Sequence, residues 1–268
     1  MSARPSETFE VHTRLQKCTL EVESSREYWA RIGLGETPTA QVAFDECWFG
    51  ARSFERTAEI LAHLRARFDP YPEALQVLAG WPHMGPDIRR LICHWHLQLS
   101  DPLYRAFTGS FLVERQRGTR AQVTRDLVTA WVDAEHPGRW SLTTRIQFAS
   151  KLLSTAASAG LVDGKRDPRP LLYPRVADAA LAYVVYLLRS VDYAGTLLAN
   201  PYLASVGLEG KELEDRLRRL DGLRFSRQGD LVDLDWSHPS IIAWAAHSLG
   251  AGGGVSRANP AANARAIP

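Results

Sequence analysis

The sequence predicts a mainly α-helical fold, an N-terminal helical bundle followed by two winged-helix-like units with short β-hairpins. Three observations predict it. Residues 13–136 hold short apolar runs at helical spacing, separated by proline, glycine or Ser-Asp, with no strand-like alternation. The pattern helix, glycine, apolar run, turn, apolar run occurs over 142–174 and again over 211–236. With 45% hydrophobic and 23% charged residues, the 268-residue chain has the composition of a packed globular protein rather than a disordered one.

The elements follow in order. Residues 1–12 are polar and predicted to fray. Leu15, Leu20, Val22, Tyr28, Trp29 and Ile32 mark a helical stretch that GLGETP breaks. A second helix is predicted over 39–49. Ser53 is the expected N-cap of a third, in which Phe54, Ala58, Leu61, Leu64 and Phe68 recur at helical spacing and Arg52, Arg56, Arg65 and Arg67 lie outward. Short helices over 72–78, 86–99, 102–115 and 120–134 complete the bundle.

After His136-Pro137-Gly138 a helix over 142–159 is expected to turn Ile146, Ala149, Leu152, Leu153 and Ala156 inward and to stop at Gly160. LVDGKRDPRPLLYP then reads as a hairpin. AALAYVVYLL, residues 179–188, is about half the ~20 residues a bilayer span needs, so a buried helix is expected there and no membrane association.

The second unit starts at Asn200-Pro201, a cap followed by proline at the first helical position. Gly207 and Gly210 make a turn, and Leu213, Leu217 and Leu220 stripe the next helix. Leu223 and Phe225 then alternate against Val232, Leu234 and Trp236. The units span 13–136, 139–190 and 191–248, and the Gly/Ala/Pro-rich residues 249–268 are expected to be a disordered tail.

Cys18, Cys47 and Cys93 are odd in number and widely spaced, which points to a reducing compartment; the N-terminus has no apolar core of signal-peptide length, so a cytoplasmic location is predicted. Phosphate-loop, GxSxG and HExxH motifs do not occur in the sequence, and no catalytic residue or cofactor is predicted. Cys93 and His96 of CHWH share a helical face, but zinc needs two more ligands and His83 is the nearest loose candidate. A buried Cys and His on a packing helix is the preferred reading, and no metal is expected.

Charge clustering says more. Residues 139–175 carry Arg139, Arg145, Lys151, Lys165, Arg166, Arg169 and Arg175 against Asp163 and Asp167. Lys165, Arg166 and Arg169 fall near the hairpin tip, where they reach a phosphate backbone; Thr143, Thr144, Arg145 and Gln147 open the preceding helix, the end that approaches base edges. Double-stranded DNA is therefore the expected partner. Arg115, Arg117 and Arg120 form a second basic stretch, and Arg52 and Arg56 a third. Across 207–236 six basic residues face eight acidic ones, and acid at the start of that helix repels phosphate, so this unit is expected to meet protein instead.

ARSFERTAEILAHLRARF, DPLYRAFTGSFLVE and WSLTTRIQFASKLLSTAASAGLVDG, in that order before a basic hairpin and an apolar helix, resemble the BrxA family of BREX bacteriophage-defence systems. The resemblance covers residues 13–190. It implies a small, non-enzymatic, mostly helical cytoplasmic protein that binds DNA and acts beside a methyltransferase and a PglZ-type protein. The alternative is an adaptor that assembles other defence proteins and touches DNA incidentally.

Overall fold

The computed structural model describes residues 4–250 other than Thr37 and Asp230. Thr13 precedes α1 (Arg14–Lys17), and α2 (Val22–Gly33) follows, so the predicted first stretch is two helices separated at Glu21, whose φ is +50°. Helix α3 is confined to Ala40–Asp45, because Cys47 adopts φ +55° and turns the chain. Ser53 caps α4 (Phe54–Phe68) as expected, its hydroxyl accepting the Arg56 N–H at 3.2 Å. Arg67 is not on the outer face. It is buried and donates to the Leu20 and Thr19 carbonyls at 2.7 and 2.8 Å.

Helices α5 (Pro72–Ala79) and α6 (Pro86–Ser100) each begin on proline, which fits the first turn because its missing N–H has no partner there. The Asp101 carboxylate caps α7 (Pro102–Ala106), which runs through a π-helical turn (Phe107–Phe111) into α8 (Leu112–Arg117). A strand the sequence did not announce comes next: β1 (Gln122–Val123). Then follow α9 (Arg125–Glu135), capped by Thr124, and α10 (Leu142–Ala159), capped by Ser141 and ended at Gly160.

Val162 bridges Leu171 antiparallel, and β2 (Arg169–Pro170) pairs on its other side with β1, Gln122 opposite Pro170 and Val123 opposite Arg169. The second strand of the basic hairpin therefore bonds to a segment that precedes the hairpin by two helices. The remaining elements are α11 (Asp178–Arg189), α12 (Pro201–Ala204), α13 (Gly210–Arg219), β3 (Leu223–Gln228), β4 (Leu231–Trp236) and α14 (Ile241–Ser248). Strands β3 and β4 pair antiparallel from Leu223–Trp236 to Gln228–Leu231. The apolar run at α11 is a buried helix, and no helix among the described residues is long and apolar enough to cross a membrane. The predicted tail lies outside the described residues from 251 onward.

One continuous core joins these parts. Trp81, after α5, packs against Tyr183 of α11 at 5.8 Å and Trp244 of α14 at 5.9 Å. Residues 5–8 are tied in, not frayed. The Pro5 carbonyl accepts the Asp192 N–H at 2.8 Å, Glu7 N–H reaches the Asp192 carbonyl at 3.0 Å, and Thr8 N–H reaches that of Leu99 at 2.8 Å. The buried Glu7 carboxylate accepts the Ala194 N–H at 2.9 Å and the Tyr202 hydroxyl, with Arg105 Nε at 3.4 Å. A carboxylate taken from water requires such partners on both oxygens, and it has them.

Candidate nucleic-acid interface

Helices α9 and α10 pack through Val128, Val132, Phe148, Ala149, Leu152 and Leu153, all fully buried. Trp140 in the turn between them lies 4.6 Å from Phe148, ring to ring. This fixes the outward face of α10. Ile146, expected inward, is outward at 39% exposure, and Leu142 is outward at 59%. Thr143, Gln147 and Ser150 share that side. Ile146 is one turn beyond Leu142 and three residues short of the buried Ala149, so a helical pattern that counts apolar residues alone assigns it to the wrong face.

The basic residues predicted for DNA divide into two groups. Arg145 is turned back: its guanidinium pairs with Asp133 of α9, leaving it 20% exposed. Arg169 donates through Nε to Asp167 Oδ1 at 2.8 Å, while Asp167 Oδ2 accepts the backbone N–H of Arg125 at 2.8 Å. One carboxylate thus ties the hairpin to the N-terminus of α9, where the helix dipole favours it. Burial raises the Asp167 pKa, but the Arg125 N–H and the Arg169 guanidinium outweigh it, and the carboxyl sits below its ordinary range.

Arg115 Nε donates to the Gln122 carbonyl of β1 at 3.0 Å, and Arg117 Nη2 contacts both oxygens of Glu209 at 2.7 and 2.6 Å. Arg56 bonds the Lys17 carbonyl at 2.6 Å and Glu59 at 2.9 Å. These five cations have internal work. The other group is exposed or half-buried and, among the described residues, without a side-chain hydrogen bond or ion pair: Lys165 and Arg166 at the hairpin tip, Arg175 just beyond it, Arg120 beside β1, Lys151 on α10, and Arg52. The first four share one small assembly of strand and hairpin, since Leu171 N–H reaches the Ala121 carbonyl at 2.9 Å. Arg52 precedes α4, and no bond joins Arg52 or Arg56 to α10 or to the hairpin.

The second hairpin has a different surface. Asp233 and Asp235 are exposed on β4, opposite Ser226 and Arg224. Arg227 and Arg218 are held by Glu214, and Arg218 also by Asp215 at 2.6 Å. Leu231, at 71%, is exposed. Asp230 lies outside the described residues. The turn before α13 abuts the first unit, because a Cβ at Gly207 (φ +79°) would fall 2.7 Å from Tyr173 Cγ.

CHWH is core. Cys93, His94, Trp95 and His96 are fully buried, and burial pushes both histidines down to about 3 and the Cys93 thiol up to about 11. Ser205 donates its proton to the Tyr202 carbonyl at 2.7 Å, so His94 Nε2 carries the hydrogen toward Ser205 and Nδ1 accepts from Tyr104, both at 2.9 Å. His96 Nδ1 faces the Arg67 carbonyl at 3.4 Å, and Nε2 takes the Tyr183 hydroxyl at 2.7 Å. Both rings use both nitrogens inside the protein. Among the described residues no group of three or more His, Cys, Asp or Glu is arranged to hold a metal ion.

No family model matches the sequence, and no curated protein does. The fold is similar to the crystal structure of an uncharacterized protein from Magnetospirillum magneticum, with a TM-score of 0.52 and 16% identity, over 67% of this chain and 97% of that one.

Proposed function

We propose that α8, β1, α9, α10 and the 161–171 hairpin form a winged-helix unit that binds double-stranded DNA, α10 entering the major groove and the hairpin lying on the backbone. The order helix, strand, helix, helix, hairpin, with β1 paired to the hairpin's second strand, supports this reading. The observation that carries it is the set of unpaired cations on and next to one strand-and-hairpin assembly, Lys165, Arg166, Arg175 and Arg120, together with the exposed face of α10. Phosphate contacts of this kind supply most sequence-independent affinity and make it salt-dependent. Together with the resemblance to the BrxA family, they support a non-enzymatic, cytoplasmic accessory factor of a BREX-like phage-defence system, acting beside its methyltransferase and PglZ-type protein.

Helices α11, α12 and α13 with the β3–β4 hairpin make a second such unit in this proposal. Exposed Asp233, Asp235 and Leu231 favour a protein partner for it.

Mobility shifts with a short duplex test the DNA reading. The double variant Lys165→Glu, Arg166→Glu should weaken binding on the order of a hundredfold and flatten its dependence on salt. Unchanged affinity and an unchanged salt slope in that folded variant would overturn the assignment.

A further inference from the structure

The outward face of the first two turns of α10 has an unusual property for a DNA-binding helix: no free charge, the first being Lys151, one turn beyond Gln147. Leu142, Thr143, Ile146, Gln147 and Ser150 point outward, and the one cation of the first two turns, Arg145, is drawn back onto Asp133. Among the described residues nothing hydrogen-bonds the Thr143 hydroxyl or the Gln147 amide, whereas the Ser150 hydroxyl is already given to the Ile146 carbonyl at 2.9 Å. Two exposed aliphatic side chains one turn apart, Leu142 and Ile146, lie to one side of the free amide, and Lys151, four residues on, lies to the other. Apart from Lys151, the unpaired cations of this unit lie off the helix, on the hairpin, just beyond it and beside β1.

Base edges in the major groove sort these groups. Guanine offers two acceptors, O6 and N7, which a guanidinium reads best; adenine offers N7 and the N6 amino group, which one side-chain amide satisfies at both ends; thymine adds a methyl group that aliphatic side chains cover. A face whose first two turns have lost their guanidinium and kept an amide beside Leu and Ile matches adenine and thymine. We infer that α10 reads A·T pairs, with Gln147 on adenine and Leu142 and Ile146 on thymine methyls, while Lys165 and Arg166 hold the flanking phosphates. Asp133 is then a positioning residue for specificity, since it withholds Arg145 from guanine. The inference rests on the DNA-binding reading above.

The test uses the full chain and fluorescence anisotropy with short duplexes that differ only in their central base pairs. An A·T centre should bind about tenfold tighter than a G·C centre, the discrimination of one amide pair. Uracil in place of every central thymine removes the methyl groups without altering pairing or the minor-groove edge, and should weaken binding about threefold per covered methyl. Ile146→Ala should bind thymine and uracil duplexes more nearly alike. Gln147→Ala should narrow the A·T preference, and Asp133→Asn should raise affinity for the G·C centre, with circular dichroism confirming that each variant is folded. Equal affinity for A·T and G·C centres, with binding still dependent on Lys165 and Arg166, overturns this inference and leaves the DNA-binding reading standing. An A·T preference that ignores uracil also overturns it, because minor-groove shape then accounts for the selectivity. No binding to any duplex at low salt overturns both, and would assign the exposed Leu142 and Ile146 to a protein partner.

Discussion

The hairpin around Lys165 and Arg166 and the hairpin β3–β4 invite comparison, because they follow helices in the same way and are built by opposite means. The β3–β4 pair is local: six residues face six, with Leu223 and Phe225 turned into the core. The earlier hairpin has one internal bridge, Val162 to Leu171. It is held from outside by β1 on one edge and by Asp167 at the start of α9. The locally made hairpin carries acid, and its Arg227 is held by Glu214 of α13. The externally braced one leaves two cations free at its tip. Regular pairing and a phosphate-ready surface are separate properties, and here they reside on different hairpins.

The comparison can be broken most forcefully by exchanging charges. Against the on-the-order-of-hundredfold loss expected for Lys165→Glu with Arg166→Glu, the double variant Asp233→Lys, Asp235→Lys should change duplex affinity by less than about twofold in the same assay, because the proposed interface does not include β4. A large gain or loss there would mean that both hairpins meet DNA.

Acid should act through the pins of the core. His94, held by Tyr104 and Ser205, and His96, held by Tyr183, have folded-state pKa values lowered by burial to about 3, well below their ordinary value. The unfolded chain therefore takes up protons first as pH falls below about 6.5, and stability drops continuously until the folded values are reached. At pH 5 each ring should cost about 2 kcal/mol relative to pH 8. Denaturant midpoints at the two pH values measure it, and His94→Gln should remove roughly half of what these two rings contribute.

Gly207→Ala sharpens the comparison at the junction of the two units. It places a Cβ in a left-handed backbone position and against the Tyr173 ring, and should lower stability by about 1–2 kcal/mol in thermal unfolding. Glu209→Gln should have the smallest effect. The Arg117–Glu209 pair is largely exposed, so its loss should shift stability by less than about 0.5 kcal/mol in the same measurement.

Much of this was legible from local chemistry. Ser53 before an apolar-periodic run located α4, Gly160 ended α10, and alternation around Gly229 located β3 and β4. What escaped notice was non-local. Strand β1 is two residues long with one buried side chain, too short to show a period, and its partner lies beyond two intervening helices. The summed charge of 139–175 overstated the free surface because Asp133 lies outside that window, and because Asp167 is bound to Arg169 rather than offsetting a more distant base. Arg117 looked available until Glu209, 92 residues away, was brought against it. Charge is read from sequence as a sum, but a surface is made of what remains after pairing.

The docking of Pro5–Thr8 sets an order of events in time. Glu7 emerges from the ribosome early, yet Asp192, Ala194 and Tyr202 follow it by about 10–40 s at ordinary elongation rates. Through that interval the helices up to α10 have time to form while the segment they later enclose remains solvated. Docking of Pro5–Thr8 therefore waits on partners made much later in synthesis, and slow maturation of nascent protein is the expected consequence of disrupting Glu7.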